Sequence, residues 1–332
     1  MLLFGSVRGN SNVCVVVFSP LATGATFGWW NSLKDVDASL LFVKDTKNNW
    51  YLDISPDGKV KDFSNQIIEQ LEKLNLSSDA KIYCVGPSMG GFAAFYYARA
   101  LNATACFATS LEETLNKFGS ISKRHIKNNN FSFSLNEFLD EKIDYHLFVG
   151  ELDFFDLYSA CLLPKCVRIS VIPDSGHLVP EFLAKNPIGI SGVVKSLIGG
   201  WDIIYKNSPF SIDSYRRIIL SLYDSWCMNL NRKSSSFQWD ELDFKRLPKV
   251  LKILMAKDYY FLGRKSASLE IMQSLLAEYK NFSWDVYHFN GLILRDLGFF
   301  KEAISSFREA ERLNPKAMAN AEQIKLLQKF SK

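Results

Sequence analysis

The residues with the clearest chemical potential are a serine in a glycine cluster and one loop histidine. Positions 86–91 read Gly-Pro-Ser-Met-Gly-Gly, which places Ser88 in a Gly-x-Ser-x-Gly pattern. The run 81–85 before it is strand-like, and 92–101 after it is small, aromatic and helix-prone. A serine at a strand–turn–helix junction rides on a sharp, strained turn that lifts its hydroxyl above a sheet. The first N–H groups of the following helix have no partners and point back at the turn, so the Met89 N–H is a candidate donor to a developing oxyanion. A serine hydroxyl is a poor nucleophile until a base takes its proton, and histidine titrates in the useful range. Four histidines exist. His146 falls inside a strand-like run, His288 in a helical region and His125 in a polar stretch. His177 is the one on a loop beyond the carboxyl end of a strand, and is the candidate base. The chemistry implied is nucleophilic acyl transfer through a covalent serine intermediate.

These residues need a scaffold, and the first 200 positions supply the pattern of one. Apolar runs at Val13–Phe18, 40–44, 81–85, 104–108, 145–149 and 167–172 read as strands. The first of these is continuously apolar, as expected of a strand buried on both faces. Ile67, Ile68, Leu71 and Leu74 recur at helical spacing. Strands alternating with helices predict an α/β fold, a doubly wound and mostly parallel sheet covered on both faces. The alternation lapses over 111–143, which holds Lys117, Lys123, Arg124, His125, Lys127 and three asparagines at 128–130. That length exceeds an ordinary connection, and a lid and a plain surface excursion are both open readings.

Ser88, the strand order and the two loops that follow make residues 10–200 resemble the α/β-hydrolase family. The resemblance implies a chain order of nucleophile, acid and histidine, with the acid after a later strand and the histidine after the last. Gly150-Glu151-Leu152-Asp153 follows one strand and Pro173-Asp174-Ser175-Gly176-His177 follows the next. Asp153 is the candidate acid, with Glu151 and Asp156 as competitors. The resemblance also implies a second oxyanion donor from the loop 19–24. Pro20 has no N–H, so Leu21 is the candidate and Ser19 the fallback. The His-Gly-Gly-Gly form found in many lipases and esterases is absent here. Trp29, Trp30 and Phe154 are candidate pocket residues, weighed against ordinary core packing. No metal or cofactor is expected.

Past Gly199-Gly200 the strand signals stop, and 201–332 reads as an all-α region. Domains are therefore expected at 1–200 and 201–332. Ile218, Ile219, Leu222 and Trp226 mark one helix, 232–236 a polar break, and two helix pairs follow near 248–279 and 284–315. Tyr287, Asn290, Gly291, Leu294, Gly298, Phe300, Ala303, Phe307, Ala310 and Pro315 resemble the tetratricopeptide pattern over 284–317. The stretch 248–281 fits it more loosely. Two repeats are too few for a free-standing solenoid. The resemblance implies a module for a protein partner or for self-association.

Composition is that of an ordinary soluble chain, 48% apolar and 22% charged. A net charge of +4 gives no footing for nucleic acid or an anionic membrane surface. The apolar runs are strand-sized, too short for a membrane span or signal peptide, and a cytoplasmic location is expected. The six cysteines show no zinc-site spacing and read as reduced thiols. A hydrolase joined to a repeat module looks similar to bacterial cytoplasmic proteins encoded with surface-polysaccharide genes, which implies a small-molecule or glycan ester as substrate. The opposing reading is a catalytically weak scaffold of the same fold that binds partners through its helices.

Overall fold

The computed structural model describes residues 1–21, 24, 26–55, 57–126, 131–185, 187–200, 208–228, 237–279 and 282–329, without the side chains of Trp226 and Glu241. The polar break at 232–236, Lys127 with the asparagines 128–130, and Ala22 and Thr23 of the candidate oxyanion loop lie outside these residues. The chain divides into two compact units, Met1–Ile219 and Leu220–Lys332. Residues 201–207, where the domain boundary is expected, also lie outside the description.

The first unit is built on a seven-stranded sheet. Its strands are β1 (Leu2–Val7), β2 (Val13–Phe18), β3 (Ser39–Asp45), β4 (Lys81–Pro87), β5 (Ala105–Thr109), β6 (Asp144–Gly150) and β7 (Val167–Ile172). They lie in the order β1-β3-β2-β4-β5-β6-β7. All neighbours pair in parallel except β1, which runs antiparallel to β3. β1 is the strand that the apolar pattern does not announce: it is an edge strand, half-exposed residue by residue. The helices of this unit longer than one turn are α1 (Ser64–Glu72), α2 (Met89–Ala98), α3 (Phe154–Leu162), α4 (Val179–Lys185) and α5 (Gly189–Ile198). A longer helix, α6 (Ile212–Met228), follows.

Both faces of the sheet are covered, as two-sided apolar strands require. On one face Val15, Val17, Leu40, Phe42, Tyr83, Val85 and Phe107 pack with Val193, Val194 and Leu197 of α5 and Leu183 of α4. On the other lies α2, every residue of which is buried. The buried thiol of Cys106 donates to the Ala94 carbonyl of α2 at 3.7 Å, and its register neighbour is Cys84. All six cysteines are free thiols. The architecture is a doubly wound, mostly parallel α/β sheet, followed by an all-α region.

Two close approaches set the geometry at the carboxyl edge of the sheet. A side chain at Gly90 would overlap the Phe18 carbonyl oxygen and crowd that of Ser19, so the first turn of α2 can sit against the end of β2 only because Gly90 has none. Likewise a side chain at Gly150 would overlap the carbonyls of Ser175 and Gly176, the residues that lead into His177. Within 111–143, Thr114–Leu115 pairs with Phe133–Ser134, and Phe133 and Phe138 pack against Tyr96 of α2 at 5.5 and 4.8 Å between ring centres. The buried Glu112 carboxylate accepts the N–H groups of Ile121 (2.6 Å) and Ser122 (3.0 Å), pinning that turn.

The second unit contains α7 (Lys249–Phe261), α8 (Lys265–Glu278), α9 (Trp284–Asp296), α10 (Phe300–Leu313) and α11 (Met318–Gln328). α7 packs on α8 and α9 on α10, each pair joined through a glycine in the left-handed region, Gly263 at φ 82° and Gly298 at φ 85°. Phe307 lies against Gly291, where a side chain would meet its ring. Asp296 ties the pairs together by accepting from Tyr260 (2.7 Å) and Lys265 (3.2 Å).

Gly90→Ala is expected to lose about 3 kcal/mol or more of stability, because the obstructing atoms are backbone carbonyls that cannot step aside. Gly176→Ala meets no atom within 4 Å and is expected to be nearly neutral. Chemical denaturation of the two variants checks the contrast.

Candidate active site

Ser88 closes β4 and opens α2 with φ 51° and ψ −119°, a left-handed conformation that a serine adopts only under constraint. The constraint is the packing around it. Its N–H is held by the Thr109 carbonyl at 2.7 Å, and its own carbonyl starts the helix by accepting from Phe92 at 3.0 Å. The loop after β7 brings His177 over it. Asp174 in that loop stands at φ 55°, and its N–H donates to the buried Glu151 carboxylate at 3.2 Å. Leu152 donates to the Ser175 carbonyl at 2.8 Å, which stitches the loops after β6 and β7 to each other.

The three side chains line up. His177 Nε2 lies 3.0 Å from Ser88 Oγ. On the other side of the ring, Nδ1–H donates to the Asp156 carboxylate, 2.9 Å from Oδ1 and 3.1 Å from Oδ2. Asp156 is almost fully buried, and the imidazole retains 22% exposure.

The carboxylate on the imidazole is therefore that of Asp156, not of Asp153. The reason is the first turn of α3. Asp153 is the residue capping this helix, and its Oδ1 is taken by the Asp156 N–H at 3.0 Å. Capping directs Asp153 along its own backbone and presents Asp156, one turn on, to the histidine. Glu151, the other competitor, is turned onto the Asp174 backbone.

Burial by itself opposes a charged imidazole here. The Asp156 charge and hydrogen bond outweigh it, with help from Asp153 and Glu112, and hold His177 up at about 9. Asp153 is pushed up to about 7 by burial and then by the nearby Asp156 charge. Burial likewise raises Glu112. Asp153, Asp156 and His177 have donor atoms within 4.8 Å of one another. Both nitrogens of His177 are nevertheless engaged, so the group forms a hydrogen-bond chain and not a vacant ligand set.

A cavity of about 340 Å³ opens at Ser88 and His177. Its other walls are Pro20, Leu21, Trp29, Pro87, Ile121, Leu178 and Pro180, nearly all apolar. Leu21 thus lies at the cavity, and Met89 is the first residue of α2 beside the serine. Neither N–H donates to a backbone acceptor among the described residues. Trp29 stands in the left-handed region at φ 59° and stacks on Phe107 with 6.2 Å between ring centres.

Trp30 does not line this cavity. It packs on Phe42 at 4.5 Å and faces a neighbouring cavity of about 460 Å³, walled by Thr26, Phe27, Trp29, Trp30, Asn31 and Ser32. Phe154 lines neither; it is a buried residue of α3 packed edge-on against Phe155. Ile121, Leu178 and Pro180 are wall residues that sequence reading does not single out. Ile121 and Leu178 stand on loops and Pro180 in the first turn of α4, where no periodicity betrays which way they point.

No protein-family model and no curated protein sequence matches the chain. Solved structures that are similar to it include the capsule O-acetyltransferase of Neisseria meningitidis serogroup A, with 16% identity, 53% of this chain and 84% of that chain covered, and a TM-score of 0.43. A thermophilic esterase from Thermogutta terrifontis shares 14% identity over 60% of this chain and 93% of its own, with a TM-score of 0.35. The fluorophosphonate-binding serine hydrolase F of Staphylococcus aureus shares 13% identity over 59% of this chain and 85% of its own, with a TM-score of 0.36.

Asp156→Asn is expected to lower turnover of an activated ester about 10⁴-fold, as loss of the orienting carboxylate does in serine triads. Asp153→Asn keeps the helix cap and is expected to stay within about threefold of wild type. A base must be neutral to accept the serine proton, so kcat/KM should rise with pH up to about 9, where His177 titrates. Asp153→Asn removes a negative charge and moves that inflection to lower pH. Rate profiles on a nitrophenyl ester for the three proteins check both effects.

Proposed function

We propose that the chain is a serine acyl-ester hydrolase or O-acyl transferase with Ser88 as nucleophile, His177 as base and Asp156 orienting the base. One observation carries this reading: a single imidazole, 3.0 Å from a strained serine hydroxyl on one side, donates to a buried carboxylate on the other. In the first half-reaction Ser88 Oγ attacks the ester carbonyl carbon while its proton passes to His177 Nε2. The carbonyl oxygen gains negative charge, and the N–H groups of Met89 and Leu21 are the proposed donors to it. Collapse expels the alcohol, which takes the proton from His177, and leaves the acyl group on Ser88. Water or an acceptor hydroxyl then gives a proton to His177, attacks the acyl-enzyme and restores the serine.

The apolar walls of the Ser88 cavity suit the acyl side of the ester. Across Trp29, the second cavity joins three aromatic rings to Thr26, Asn31 and Ser32, with no charged residue among its described walls. Rings that stack on C–H faces beside neutral hydrogen-bonding groups suit a sugar alcohol, so an acylated carbohydrate is the proposed substrate. The helical unit is proposed as a tetratricopeptide-like module for a protein partner or a second copy of the chain.

The test is labelling by a fluorophosphonate, followed by a comparison of O-acetylated methyl hexosides with nitrophenyl esters. Wild type is expected to label, Ser88→Ala and His177→Ala are not, and the hexoside esters are expected to show the higher kcat/KM. A folded wild type that does not label would favour a scaffold working through its helices. Labelling with no preference for sugar esters would remove the carbohydrate assignment alone.

A further inference from the structure

The loop after β3 carries three non-glycine residues in the left-handed region within four positions: Asn48 (φ 56°), Trp50 (φ 55°) and Tyr51 (φ 59°). For bulky aromatic residues this conformation is costly and persists only where the surroundings over-determine it. Here the surroundings are a buried carboxylate. Asp45, at the end of β3, accepts the N–H groups of Lys47 (2.9 Å), Asn49 (2.6 Å) and Tyr51 (3.1 Å). From α2, the Tyr97 hydroxyl donates to the Tyr51 carbonyl at 2.6 Å. The Tyr51 ring is fully buried and meets Phe18 edge-on, 5.4 Å between centres.

All of this holds one hydroxyl in place. Tyr51 Oη lies 2.8 Å from the Ser19 carbonyl oxygen and 3.0 Å from that of Val43. Burial pushes this hydroxyl well above the ordinary tyrosine value, so it remains a donor. The other polar groups of Ser19 are engaged too. Its N–H donates to the Val43 carbonyl at 2.9 Å, and its Oγ accepts the Gly28 N–H at 3.0 Å. Pro20 comes next, with its backbone angle fixed by the ring and no N–H to offer. The first N–H beyond this locked pair is that of Leu21, at the wall of the Ser88 cavity.

We infer that Tyr51 is a positioning residue for the oxyanion donor: its buried hydroxyl, clamped by Asp45 and Tyr97, fixes the Ser19 carbonyl and thereby the Leu21 N–H. The inference rests on the acyl-transfer reading of Ser88 and adds a residue that touches no substrate. Its consequence is specific. A donor matched to the transition-state oxygen contributes to kcat and little to ground-state binding.

The experiment compares wild type, Tyr51→Phe, Tyr97→Phe and Asp45→Asn on a nitrophenyl ester, with thermal unfolding measured alongside. Tyr51→Phe keeps the ring and removes the hydroxyl. It is expected to lower kcat about tenfold with KM within about twofold, and to slow fluorophosphonate labelling in parallel, since that reaction also charges an oxygen. Tyr97→Phe loses a buried hydrogen bond of the same kind but leaves the Ser19 carbonyl its donor, so it should lose similar stability and less kcat. Asp45→Asn slackens the Tyr51 backbone and should lower kcat at constant KM; it decides the matter if Tyr51→Phe does not fold. An unchanged kcat in Tyr51→Phe overturns the inference. So does a kcat loss that follows unfolding temperature equally across the variants. Failure of wild type itself to label is a different outcome and removes the acyl-transfer reading underneath.

Discussion

The chemistry of this chain depends on one close approach, that of the first turn of α2 to the backbone at the end of β2. Gly90 permits it, because any side chain there would overlap the Phe18 carbonyl. Once the helix start is seated, Ser88 must turn through a left-handed conformation to reach it, and its hydroxyl is driven off the sheet. The turn at Ser88 and the start of α2 are thus set by a single backbone-to-backbone contact, which is why a glycine pattern says more about this edge of the sheet than any polar residue does.

The electrostatics follow a second constraint, three carboxyl groups around one imidazole. Two carboxylates brought together out of water cannot both stay charged cheaply. Asp153 responds by moving up to about 7, and Glu112 moves in the same direction. The surplus of negative charge is felt by His177, which is held at about 9. That charge favours the protonated form of the imidazole. Two of the three carboxyl groups also have a structural duty: Asp153 caps α3 and Glu112 pins the turn at Ile121.

What was legible in the sequence was set by backbone regularity. Six of the seven strands announce themselves as apolar runs because both faces of the sheet are covered, and β1 does not because an edge strand is half in water. Ser88 is legible because its turn needs glycines at fixed offsets, and His177 because the chain offers few histidines. The acid was less so: Asp153 and Asp156 are one helical turn apart, and only the cap at Asp153 decides which of them turns to the histidine. Phe154 misleads for a related reason. Its type suits a pocket, but it is buried within α3, whereas Trp30 walls the cavity across Trp29. Tyr51 carries no sequence signal at all, since its part depends on a register between β2 and β3 that a linear pattern does not display.

Strain is concentrated at one edge of the molecule. Trp29 after β2, Trp50 and Tyr51 after β3, Ser88 after β4, Ser110 after β5 and Asp174 after β7 all stand at positive φ without being glycine or asparagine. Every one lies beyond the carboxyl end of a strand in the same sheet, the edge where doubly wound α/β folds bind their ligands. Other positive-φ positions in this unit, such as Asn75, Asn102 and Gly58, are asparagines or glycines, which adopt that conformation readily. A chain selected for stability alone would place glycine or asparagine at the strained positions as well. Bulky and reactive residues are kept there instead, and buried anchors such as Asp45, Tyr97 and Glu151 sustain them. The strained turns thus gather at the edge of the sheet where Ser88 and His177 meet.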